Sequence, residues 1–138
     1  MPKKKSVSVN FIIPLVVYPF DVMVSVGQSD DQLGTVLDRF PLTENDILMC
    51  RYASDRARGR YCMFSTGGSF IRIRKLPETA GEFGTLSHEV FHVVATLLEH
   101  IGMELKVLVS DEAYAYLIGY LTEQIYKKLN KYYYLTPI

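Results

Sequence analysis

The residues with the clearest chemical potential are His88-Glu89-Val90-Phe91-His92, an H-E-x-x-H pattern. On a helix, two histidines four residues apart are separated by about 6 Å along the axis and about 40° around it, so both imidazoles can face one metal ion. Glu89 lies about 100° further round. From there its carboxylate reaches a water held by the ion without taking a coordination position, which is what a general base for hydrolysis requires. A catalytic zinc ion takes three protein ligands and leaves its fourth position open, so a third ligand must come from outside this helix. Glu112 fits: it follows His92 by twenty positions, opens the next helical stretch, and is separated from the histidines by a turn containing Gly102. A helix N-terminus favours a carboxylate, and Asp111 is its adjacent competitor.

The elements that must position these residues fall into two blocks. Up to about residue 76 the chain reads as mainly strand. It begins with the β-branched run 11–18, which contains Pro14, and continues with an alternating Val22, Val24 and Val26. Ser29 caps a short helix in which Leu33, Val36, Leu37 and Phe40 repeat at helical spacing, and Pro41 ends it. Segments 47–52, 60–65 and 69–75 read as three further strands, the last two joined as a hairpin at Gly67-Gly68. The polar stretch 54–59 is a loop. The second block is two helices. The first, over 85–101, is apolar almost all round and stopped by Gly102, which predicts burial in the middle of the domain; the second runs from Ser110, its N-cap, to about Lys131.

His88-Glu89-Val90-Phe91-His92 followed by Asp111-Glu112-Ala113 resembles the gluzincin branch of the zincin metallopeptidases, the group that includes thermolysin. It is also similar to the minimal zincins of the ImmA/IrrE kind found in phages and mobile elements. The resemblance spans roughly residues 81–123. It implies His88, His92 and Glu112 as zinc ligands, Glu89 as general base and later proton donor, and a protein or peptide substrate. It further implies an edge strand that holds the substrate in extended form, for which 69–75 is the candidate here. Two features depart from the thermolysin pattern. Tyr116 stands where an Asp would orient a ligand histidine, and no histidine follows His100 to stabilise an oxyanion. Tyr114 is the nearest tyrosine that would substitute.

Composition narrows the alternatives. A chain of 138 residues, about half apolar, is expected to form a single domain over 1–138 with one sizeable core. Fifteen basic residues balance fifteen acidic ones, so no global field draws it to nucleic acid or to an anionic membrane. Lys3-Lys4-Lys5 reads as a solvated terminus, and Arg72, Arg74 and Lys75 as a solvated strand face. His100 lies about 12 Å along the helix from His92, too far to share its metal, and suits the negative end of the helix dipole. Tyr132 to Tyr134 read as packing aromatics. Cys50 and Cys62 either pair or stay as thiols, and thiols in a reducing cytoplasm are the expectation. The apolar stretch 11–26 is broken by Pro14, Pro19 and Asp21, which argues against a signal peptide or a membrane span.

The expected architecture is α+β, a minimal zincin-like domain: a small, mostly antiparallel sheet packed on the H-E-x-x-H helix, closed by a C-terminal helix. The expected function is a zinc-dependent endopeptidase. The alternative is a non-catalytic zinc-binding protein of the same fold acting as a structural or regulatory subunit, and a partner-dependent protease with one protein substrate stands between them.

Overall fold

The computed structural model describes residues 6–133. Three of its helices begin with the same local device, a hydroxyl residue whose side chain accepts from the backbone N–H three positions on while that residue's side chain reaches back. Ser29 and Gln32 do this for α1 (Asp30–Leu37), Thr43 and Asp46 for α2 (Glu44–Met49), and Thr79 and Glu82 for α3 (Ala80–His100). The last helix is α4 (Asp111–Tyr133). The strands are β1 (Val9–Pro14), β2 (Asp21–Val26), β3 (Gly59–Met63) and β4 (Ser69–Ile73).

The strands form one four-stranded sheet in the order β1-β2-β4-β3. β1 pairs antiparallel with β2, and β3 with β4 across a turn at Gly67, whose φ of 97° only glycine adopts readily. β2 and β4 pair in parallel, Val22 opposite Ser69 and Val26 opposite Ile73. The sheet is mostly antiparallel, as expected, with two of its three pairings antiparallel, and the one parallel pair makes it mixed. A parallel pair needs a crossover, supplied here by the chain through α1 and α2.

Alternation along the strands sorts the core into two clusters. Val22, Val24, Val26, Ile71 and Ile73 face α3 and α4, meeting Leu86, Val90, Val93, Val94 and Leu97 from one helix and Leu117, Leu121, Ile125 and Leu129 from the other. Met23, Cys62 and Phe70 face the other way, against Leu33, Leu37, Cys50 and Phe64. This is a small α+β fold, helices on both faces of the sheet and a C-terminal helix packed beside the motif helix. Among the described residues, no helix is long and apolar enough to cross a membrane.

Several sequence expectations need correction. Residues 47–52 do not form a strand: the Thr43–Asp46 capping box makes Glu44–Met49 helical, and Asp46 is buried, accepting from Ser65 N at 2.9 Å and Ser65 Oγ at 2.7 Å. Arg72 is not solvated. It is 2% exposed, paired with Asp30 at 2.8 Å, bonded to the carbonyls of Gln28 and Cys50, and stacked on the Tyr52 ring. Arg74 and Lys75 do face solvent. Ser110 precedes α4, but its hydroxyl is turned back into the preceding segment, accepting from Lys106 N and donating to the Glu104 carbonyl. Gly102, at φ 88°, ends α3 as expected; its N–H bonds the Glu99 carbonyl and that of Met103 bonds Leu98. Tyr132 and Tyr133 pack against the core, whereas Tyr134 and Lys3 to Lys5 lie outside the described residues.

Candidate metal centre and active site

α3 starts five residues earlier than its apolar pattern indicates and is not buried all round. Leu86, Val90, Val93, Val94, Leu97 and Leu98 face inward, while Gly84, Ser87, His88, Phe91, His92 and Glu99 are exposed. The two histidines thus stand on the open face of a helix otherwise anchored in the core, accessible from solvent.

Their imidazoles converge. His88 Nε2 and His92 Nε2 are 3.0 Å apart, and the rings meet edge to face with centroids 4.6 Å apart. Two zinc–nitrogen bonds at the tetrahedral angle set nitrogens about 3.3 Å apart, so this donor pair fits one ion with little adjustment. His92 is further fixed by β3: Tyr61 stacks on its ring, centroids 5.7 Å apart and planes 18° from parallel. Burial pushes the Tyr61 hydroxyl to a higher pKa, and a hydrogen bond with Thr96 partly opposes this.

Glu89 projects between α3 and the start of β3 and is 8% exposed. Burial raises its carboxyl pKa, opposed by the neighbouring His88, His92 and Arg60. Gly59 makes the room for it. A Cβ at that position would lie 3.0 Å from Glu89 Cγ and from Thr85 Cγ2, and 3.1 Å from Glu89 Oε1. No protein-family model, no curated protein and no solved structure matches this chain.

The third expected ligand is not gathered with the pair. Among the described residues, no group of three or more His, Cys, Asp or Glu side chains is placed to hold a metal ion, and Glu112 is exposed. Helix register gives the reason. α3 and α4 run antiparallel, with Tyr133 OH donating to the Pro77 carbonyl at one end and Tyr114 OH to the Met103 carbonyl at the other. Phe83 meets Tyr126 between them. Counting about 1.5 Å per residue back from that contact, Glu112 stands level with Leu97, about 7 Å beyond His92 along the axis. Tyr114 is buried and its hydroxyl is engaged at the Met103 carbonyl, so it is not the oxyanion donor. His100 meets the Phe20 ring, away from the pair.

Segment 69–75 cannot add a substrate strand, because β4 is paired on both edges and fully buried. The strand beside the motif with an edge left open by the sheet order is β3. Sequence reasoning missed Gly59 and Tyr61. Their signal is a glycine inside a strand pattern, which marks close approach of another group, and an aromatic two positions on, hence on the same face.

Proposed function

We propose that this protein is a zinc-dependent peptidase in which His88 and His92 hold the ion, Glu112 completes the ligand set, and Glu89 moves the proton. The observation that carries the reading is the pair of Nε2 atoms 3.0 Å apart with a buried carboxylate one residue along. A bound zinc ion supplies an activated water and a Lewis acid for the scissile carbonyl. The chain supplies the rest. The open edge of β3 offers main-chain donors and acceptors to an extended peptide beside the histidines. Glu89, shielded by Gly59 and Thr85, takes a proton from the attacking water and returns it to the leaving amine, and its burial favours the protonated form needed for the second step.

The test is metal analysis of protein purified without added zinc, together with cleavage of a mixed peptide library. Wild type and Glu89→Gln are expected to carry one equivalent of metal, His88→Ala none, and only wild type to cleave. Cleavage retained by Glu89→Gln would refute the role given to Glu89.

A second reading is favoured by one observation, the separation of Glu112 from the histidines. On that reading the chain binds metal without turnover, as a structural or regulatory subunit. Full metal occupancy with no cleavage of any peptide by wild type would select it.

A further inference from the structure

The net charge of zero hides a segregated one. Seven of the fifteen basic residues lie within residues 51–75, against a single acidic residue, Asp55. This segment carries β3, β4 and the loop leading into the open edge strand. Only one of these cations is neutralised in the interior, Arg72 by Asp30. Arg60 and Arg74 spend their hydrogen bonds on carbonyls, of Met49 and of Ala57 and Ser54, and neither forms an ion pair among the described residues, although the Arg60 charge acts on Glu89.

Three of the remaining cations converge on a cleft of about 340 Å³ at the start of α3, lined by Arg58, Arg74 and Lys75 with Thr79, Thr85 and Glu82. Glu82 is engaged at Lys75, 2.9 Å away, and at the backbone N–H groups of the capping box. Among the described residues, no carboxylate pairs with Arg58 or Arg74. The Glu78 carboxylate also acts on Lys75, so three cations face two carboxylates and the cleft keeps a net positive charge in a molecule whose total charge is zero.

The cleft adjoins the reacting groups. Thr85 lines it and lies one turn before Glu89 on α3, and Gly59, next to Arg58, lies so near both that a Cβ there would be 3.0 Å from each. From Thr85 to Glu89 is about 6 Å and from Glu82 about 10 Å along the axis, a span of two or three residues of extended peptide at about 3.3 Å each. A peptide added antiparallel to β3 would run from Met63 towards Gly59, so its C-terminal side enters the cleft.

We propose that this cleft is a subsite for a carboxylate side chain of the substrate, two or three residues to the C-terminal side of the bond that is cut. The proposal rests on the peptidase reading for the position of that bond, but charge selection is measurable without turnover. β3 and the cleft together favour an acidic peptide over nucleic acid, since main-chain pairing and a pocket for one side chain are the two parts of peptide recognition by strand addition. Opposite charges at this edge also steer encounter and reject basic peptides.

The experiment is peptide binding by zinc-loaded Glu89→Gln protein, using a library acetylated and amidated at its ends. Peptides with Glu or Asp are expected to bind about tenfold more tightly than their Gln or Asn counterparts, from two or three partly exposed ion contacts, with the gain lost in high salt. Arg58→Glu should reverse the preference and Arg58→Gln remove it; Lys75→Glu is a second reversal at a separate position. Equal binding of acidic and neutral peptides would overturn the subsite even if wild type cleaves neutral peptides. Conversely, charge-selective binding that Arg58→Glu reverses, without cleavage by wild type, would support the subsite while refuting the peptidase. A neutral peptide with a free C-terminal carboxylate binding as well as an acidic one would overturn the side-chain assignment, as would an oligonucleotide that displaces the acidic peptide and binds more tightly.

Discussion

Gly59→Ala probes the contact on which the role of Glu89 depends. The added methyl would sit 3.0 Å from two carbons and 3.1 Å from Glu89 Oε1, where carbon atoms prefer about 3.5–4.0 Å. Thr85 is β-branched and held in its helix, so it yields little. Glu89 is unbranched and must take up most of the displacement, on the order of half an ångström to one ångström. Overpacking of this kind costs about 1–3 kcal/mol, reduced by about 0.4–1 kcal/mol because alanine restricts the unfolded chain more than glycine. A net loss of about 1–2 kcal/mol is expected in urea unfolding. Gly84→Ala is the matched control on the same side of the molecule: nothing lies within 4 Å of its Cβ, so it should stabilise by about 0.5–1 kcal/mol. Metal content should be unchanged in both, because neither touches the histidines. In a cleavage assay Gly59→Ala should lose turnover by up to about a hundredfold, the scale of a 1 Å misplacement. Wild-type stability and turnover in Gly59→Ala would show that Glu89 is not held against β3.

Zinc at a hundredfold excess over its dissociation constant should raise unfolding free energy by about 2.7 kcal/mol, roughly 10 °C in melting temperature for a chain of this size. His88→Ala should abolish the shift and Glu112→Ala should reduce it; identical melting with and without zinc would remove the metal site. Asp46 is pushed up by burial, but hydrogen bonds from Ser65 and Thr43 outweigh this, so its folded pKa is lowered. Its contribution is therefore present above the unfolded value of about 3.9 and lost as pH falls through the lower folded value. Asp46→Ala should cost about 2 kcal/mol at neutral pH through the lost cap and turn anchor, and should flatten acid unfolding below pH 4; an unchanged acid limb would refute this. Cys50 and Cys62 are free and buried with sulfurs 3.8 Å apart, and the hydrogen bond between them, with burial, raises the Cys50 thiol. Neither should react with an alkylating reagent until the protein unfolds, and fast native labelling would contradict the packing.

The motif helix was legible because its information is local. Residues 88 to 92 need only helical geometry to bring two imidazoles together, and Gly102 marks the end by short-range chemistry; the Thr79–Glu82 capping box that starts the helix at Ala80 lies ahead of the apolar pattern and is missed by it. The Gly67-Gly68 hairpin is legible for the same reason. The parallel β2–β4 pairing was not, since it joins Val22 to Ser69 across 47 positions and leaves no mark on either segment. A continuous apolar run misleads at 47–50, since such a run suits a buried strand as well as a helix; Ile47 and Cys50 share a helix face, and the Thr43–Asp46 box decides the outcome. Arg72 reads as surface by residue type, yet Asp30, two carbonyls and the Tyr52 face compensate its burial. Glu112 matches the expected spacing in sequence, but its height on α4 is set by the Phe83–Tyr126 ring contact and by the Tyr133 hydroxyl donating to the Pro77 carbonyl, far along both helices.

That height assigns a part to segment 101–110. The histidines sit on a helix fixed by the sheet, so closing the gap of about 7 Å falls to the connection and to the first turn of α4. This connection is the least packed stretch between the two helices: Leu105, Val107, Leu108 and Val109 are all exposed, and Leu108 has a φ of 64°. A left-handed leucine costs on the order of 1–2 kcal/mol, and each of these side chains would gain about 1.5–3 kcal/mol if fully buried. Apart from Tyr114, buried and bonded to the Met103 carbonyl, little native packing opposes a rearrangement here. Zinc binding through three ligands would order the segment, and the difference between the melting shifts of wild type and Glu112→Ala measures what Glu112 adds to the ion's binding net of that ordering.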